Sequence, residues 1–141
     1  MVKLCGGIPV PVAPKDGSFH PRIADIESRT TSYTKAVMIN SPNNPSGVMY
    51  SEQFIAEIVE FCEKRGLYLI MDDIYHRLIF DGREPVNAYD YAKDRTDNSK
   101  LIIINGVSKQ YAMTGFRIGW AVGNKRVVEA VSYTHLRAHE T

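Results

Sequence analysis

The chain has 141 residues, 17 Lys+Arg against 16 Asp+Glu, a formal net charge of +1 and 44% hydrophobic residues. These are globular values at single-domain length, and they exclude a disordered tail, a collagen-like fibre and a disulfide miniprotein. The near-zero charge argues against a dedicated nucleic-acid binder, and no apolar run approaches the roughly 20 residues that span a bilayer.

The chain opens on Met1-Val2-Lys3-Leu4, then Gly6-Gly7 and an extended stretch, residues 8–12. This reads as a helix end, a glycine turn and a strand. A chain that starts inside such a unit is expected to have lost what precedes it. Pro9, Pro11 and Pro14 break the apolar stretch, so it is no secretory signal. Residues 21–29 carry Ile23 and Ile26 with charges between, the pattern of a short amphipathic helix. Residues 36–39 (AVMI) are a short apolar run, expected as a buried strand, and residues 40–47 (NSPNNPSG) are dense in turn formers. Ser51 is placed to cap a helix through Arg65, with Phe54, Ile55, Ile58, Val59, Phe61 and Cys62 at the 3.6 period and Gly66 at its end. Residues 67–71 and 101–104 predict two more strands, 116–122 a fourth, and a helix starts near Asn124. Residues 81–100 are polar and irregular, a surface excursion with room for one short helix. Strands apolar throughout, alternating with helices, predict an α/β fold: a mostly parallel sheet with helices on both faces.

Cys5 and Cys62 lie far apart, neither a disulfide framework nor a metal spacing. Both are expected reduced and buried, in keeping with a cytoplasmic location. After Val131 the apolar helix pattern stops, and residues 132–141 read SYTHLRAHET. His135 and His139 are four apart, but the following Glu is wrongly placed for a zinc helix motif, and no metal site is expected. The segment resembles a non-native tail. The expected organisation is therefore residues 1–131 as one partial domain and 132–141 as a scar.

Three clusters sit just past strand ends, where open α/β sheets place ligand groups. The first is Pro42-Asn43-Asn44-Pro45-Ser46-Gly47, which makes either a rigid turn or a fixed backbone presenting the Asn44 amide. The second is Asp72-Asp73-Ile74-Tyr75. Asp suits a helix cap, yet two carboxylates ending an apolar strand are costly to bury without a cationic partner. In a helical turn Asp72 and Tyr75 share one side. The third is Ser108-Lys109 followed by residues 113–119 (MTGFRIG), where Lys109 lies in a mostly uncharged stretch and is a candidate nucleophile.

Together the clusters resemble the pyridoxal-phosphate-dependent aminotransferases of class I/II, fold type I, and most of all their aspartate/aromatic branch. The matching pattern is PNNPSG at 42–47, D-x-x-Y at 72–75 and SKQYAMTGFRIGW at 108–120, in that order. The likeness covers residues 1–131, which look like the middle of the family's large domain. It implies pyridoxal 5'-phosphate as cofactor, with an amino acid and a 2-oxo acid as substrates. It implies that Lys109 forms the Schiff base with the cofactor aldehyde and, once freed, moves a proton as base and then acid. By the same resemblance Asp72 pairs with the ring nitrogen, Asn44 and Tyr75 donate to the ring's phenolic oxygen, Arg117 binds the phosphate and Ser108 adds a phosphate contact. Gly106 stands where many members carry a phosphate-binding Ser.

Family members are much longer and work as homodimers. This chain lacks their upstream phosphate-cradling helix, ring-stacking aromatic and downstream substrate-gripping Arg. It is therefore expected to be an inactive fragment with open, aggregation-prone sheet edges. Two alternatives share these motifs. One is a β-lyase of the same fold; the other is a non-catalytic aminotransferase-like domain of a transcription regulator. A plain nucleotide-binding domain is disfavoured, because no G-x-G-x-x-G or P-loop follows a strand.

Overall fold

The computed structural model describes residues 2–14 and 16–138, and along 133–138 the backbone alone. The chain divides into two units, Met1–Thr34 and Lys35–Thr141.

The first unit holds a 3-10 turn, Val2–Cys5, and one short helix, α1 (Ile23–Glu27). Asp25 accepts from the Arg22 backbone N–H at 2.9 Å and from its guanidinium at 3.2 Å, closing the start of α1. The strand expected at residues 8–12 does not form. Pro9 and Pro11 have no N–H to give a ladder, so the extended backbone stays unpaired. Cys5 is exposed, contrary to the expectation of burial, because the turn that carries it buries no residue.

The second unit is built on a four-stranded sheet in the order β1-β2-β3-β4. Its strands are β1 (Ala36–Asn40), β2 (Tyr68–Asp72), β3 (Leu101–Gly106) and β4 (Gly119–Val122). The first three run parallel; β4 returns antiparallel along β3. Helix α2 (Glu52–Arg65) connects β1 to β2 and packs against β2. Ser51 Oγ accepts the Phe54 N–H at 3.2 Å, and Gly66 ends the helix at φ 65°, where a side chain would be strained. Its apolar stripe of Ile55, Ile58, Val59 and Cys62 is buried, together with Leu69, Met71 and Ile39 of the sheet. Alternation along the strands places Met38 and Ile104 on the opposite face, where they stay exposed. Burial pushes the Cys62 thiol up to about 12, so it remains protonated and inert.

The excursion at 81–100 does contain one short helix, a 3-10 turn at Ala88–Tyr91. It is pinned to α2: Tyr91 donates to Glu52 at 2.7 Å, the Lys93 N–H to Glu63 at 2.9 Å and Lys93 Nζ to Glu60 at 3.1 Å. Beyond β3 come α3 (Val107–Gln110) and, after β4, α4 (Lys125–Ala138). The backbone of α4 continues past Val131 without a break, through the first seven residues of the stretch read as a tail. His139 lies outside the described residues, as does the side chain of His135. Among the described residues no helix is long and apolar enough to cross a membrane, and no cluster of metal-ligating side chains forms.

Candidate active site

Parallel pairing sets the site. Because β1, β2 and β3 share a direction, their carboxyl ends meet at one edge, with Asn40, Asp72 and Ile104 in register. Three segments leave from that edge: residues 41–47 with Asn44, residues 72–76 with Asp72 and Tyr75, and residues 107–117 with Ser108, Lys109 and Arg117. β4 starts there too, with Gly119 opposite Gly106.

Asn44 and Tyr75 meet: the Asn44 amide donates to the Tyr75 hydroxyl oxygen at 3.1 Å. The Ser41–Pro42 and Asn44–Pro45 peptide bonds on either side of Asn43 and Asn44 are cis. Asp72 is half-buried, and its Oδ1 accepts the Ile74 N–H at 3.3 Å, an Asx turn that starts the path to Tyr75. Asp73 behaves differently. Its N–H extends the sheet ladder to the Ile104 carbonyl at 2.8 Å and its carboxylate is buried. Burial raises the Asp73 carboxyl above its ordinary value; His76 opposes this rise and neighbouring Asp72 adds to it. His76 Nδ1 lies 2.9 Å from Asp73 Oδ2, an ion-pair separation off the line of a hydrogen bond, and it makes no hydrogen bond.

Lys109 sits in the single turn of α3, exposed, with no partner for its amine among the described residues. Ser108 beside it is half-buried. Arg117 is exposed and left-handed at φ 54°, and its guanidinium donates to the Thr114 carbonyl at 3.2 Å. Ala112 is also left-handed, at φ 53°. Each costs on the order of 1–2 kcal/mol for a non-glycine residue, and such strain gathers at functional segments. The Val107 N–H donates to the Ile118 carbonyl at 3.2 Å, tying the start of α3 to the residue after Arg117.

Gly106 has a steric reason to be glycine. A Cβ there would stand 2.9 Å from the Ile118 carbonyl oxygen and 3.3 Å from Gly119 Cα. The start of β4 occupies the space a serine side chain needs.

Two features of this edge escaped the sequence reading. Asn40 passed as one turn former among several, though its side chain bonds both to β2 and to the following loop. The other is the Asp73–His76 pair, which lies beside the Asp72/Tyr75 pattern. Its i, i+3 spacing was the available signal.

The fold and edge define an α/β chain with ligand-type groups gathered where open sheets bind small molecules. Residues 1–136 match the sequence profile of the family described as aminotransferase class I and II. The chain belongs to that family. It is 38% identical over 141 residues to the aspartate aminotransferase of Bacillus subtilis (strain 168), covering 99% of this chain and 35% of that protein. It superposes on a Thermus thermophilus aspartate aminotransferase double mutant with a TM-score of 0.83 at 32% identity, over 94% of this chain and 34% of that one. The aromatic aminotransferase from Pyrococcus horikoshii OT3 gives a TM-score of 0.80 at 31% identity, over 91% of this chain and 34% of that one. The chain thus spans about a third of the length of the relatives it matches.

Proposed function

We propose that this chain carries cofactor-binding groups of a pyridoxal-5'-phosphate-dependent aminotransferase, which moves an amino group between an amino acid and a 2-oxo acid. Family membership and the relatives' names support the reaction class. The observation that carries the reading is the set of groups at one sheet edge: a half-buried carboxylate, an amide–phenol pair at 3.1 Å and an exposed primary amine with no partner among the described residues. That donor set fits pyridoxal phosphate, which has an aldehyde, a basic ring nitrogen, a phenolic oxygen and a phosphate. When bound, the cofactor supplies an electron sink for charge developing at the substrate α-carbon.

The chain's own residues then divide the work. Asp72 would pair with the ring nitrogen and keep a proton on it, a use for a carboxylate at the mouth of an apolar strand. Asn44 and Tyr75, which leave from two different loops, would donate to the phenolic oxygen. Arg117 presents a planar fork to the phosphate, with the Ser108 hydroxyl alongside. Lys109 is the covalent anchor. Its free amine would take the proton from the substrate α-carbon and hold it as an ammonium, work that suits a primary amine on a flexible stem. The whole enzyme would be a homodimer, as the family resemblance implies.

The test begins with the visible absorption of the chain mixed with pyridoxal phosphate, then borohydride reduction and peptide mapping. The adduct is expected at Lys109 and is expected to vanish in Lys109→Ala. An adduct confined to other lysines would overturn the site. In a longer protein bearing this segment, amino transfer to a 2-oxo acid is expected. Ammonia and pyruvate released without an acceptor would replace that reading with lyase chemistry.

A further inference from the structure

We infer that Asn40 is a positioning residue that fixes the two sides of the proposed cofactor site relative to each other; this rests on the functional reading above. Asn40 is the last residue of β1 and the register partner of Asp72. Its Nδ2 donates to the Asp72 carbonyl at 2.9 Å, and its Oδ1 accepts the Asn44 N–H at 2.9 Å. The partners dictate the amide's orientation. Turned over, it would set oxygen against oxygen and N–H against N–H. The Asp72 carbonyl also takes the Ser41 N–H at 3.3 Å, so both of its lone pairs are used.

These bonds close a circuit. Asp72 leads along the chain to Tyr75, Tyr75 meets the Asn44 amide at 3.1 Å, the Asn44 N–H meets Asn40, and Asn40 returns to Asp72. A flat ring held by a carboxylate on one side and an amide–phenol pair on the other needs those groups at a set separation. One half-buried side chain bonds to both segments here. Asparagine suits the position because it offers one donor and one acceptor on a short, planar group. Aspartate keeps the acceptor for Asn44 but sets a carboxylate against the Asp72 carbonyl. Alanine loses both bonds.

The test compares wild type, Asn40→Ala and Asn40→Asp in the 141-residue chain. The first readout needs no cofactor: hydrogen exchange at the Asn44 N–H. It is expected to quicken in the alanine variant and to stay slow in the aspartate variant, which retains that acceptor. The second is pyridoxal phosphate titration. Both variants are expected to form the adduct at Lys109, with the dissociation constant about tenfold higher than wild type. The third is the pH at which the adduct's visible band changes. It is expected to move upward in the alanine variant, as misplaced Asn44 and Tyr75 donate less well. Unchanged Asn44 exchange in Asn40→Ala would overturn the proposal whatever the cofactor does. So would cofactor affinity within about twofold of wild type and an unmoved band midpoint, with only thermal stability lowered. Wild type lacking an adduct at Lys109 would instead overturn the functional reading. If Asn40→Ala fails to fold, Asn40→Asp carries the comparison through affinity, where a dissociation constant within about twofold of wild type would overturn the proposal.

Discussion

Asp72 and Asp73 are adjacent yet chemically distinct, since one opens toward the site edge and the other is sealed beside His76. The Asp73 carboxyl is held above its ordinary 3.8 by burial, and His76 offsets only part of this. The folded chain therefore binds that proton more tightly than the unfolded chain does. Stability falls as pH rises from the ordinary value through the raised one, and the loss persists above it. Asp73→Asn removes this slope. Urea unfolding between about pH 3 and pH 7 is expected to show the variant gaining on wild type as pH rises. Parallel curves would show that His76 fully compensates the buried charge. At this scale the gathering of Asn44, Asp72, Tyr75 and Lys109 beyond the carboxyl ends of three parallel strands was legible, because each follows a short apolar strand closely in sequence. Asn40 was not, since its bond to Asp72 joins residues 32 apart and exists only once two strands pair. Gly106 read as a missing serine; only the approach of the Ile118 carbonyl shows why a side chain is excluded.

Elements with local punctuation were read correctly. Helix α2 has a serine cap, a 3.6-period stripe and a terminal glycine, all visible in sequence, and its bounds followed. The stretch at 8–12 misled because extended backbone and strand look alike until hydrogen-bond partners are counted. In α2 the cap and the core contribute unequally. Ser51→Ala removes one hydrogen bond to an exposed N–H and is expected to cost about 1 kcal/mol. Ile58 is fully buried, at 0% exposure, and Ile58→Ala is expected to cost about 3 kcal/mol through lost burial and a residual cavity. Denaturant unfolding of both variants checks the ranking. Equal costs would mean that the core around Ile58 collapses to fill the space.

At the scale of the whole molecule, the sheet sets both the candidate site edge and the strands left at its borders. Parallel order aligns three strand ends into one edge, and that was foreseeable from apolar strands alternating with helices. The antiparallel direction of β4 was not foreseeable, because four residues carry no directional signal of their own. As the outermost strand of the sheet, β4 has all four residues exposed, including Trp120 at 46% and Val122 at 53%. Met38, at 59%, adds apolar exposure on β1 at the sheet's other border. A border strand with free N–H and C=O groups and apolar side chains is a template for another strand. The 141-residue chain is therefore expected to self-associate as concentration rises, measured by sedimentation velocity. Trp120→Lys should shift the population toward monomer, because a charge on a border strand opposes pairing while a surface change there alters stability by only about 0.5 kcal/mol. A monodisperse monomer at high concentration would mean that β4 is protected after all, and the outward apolar residues would need another explanation.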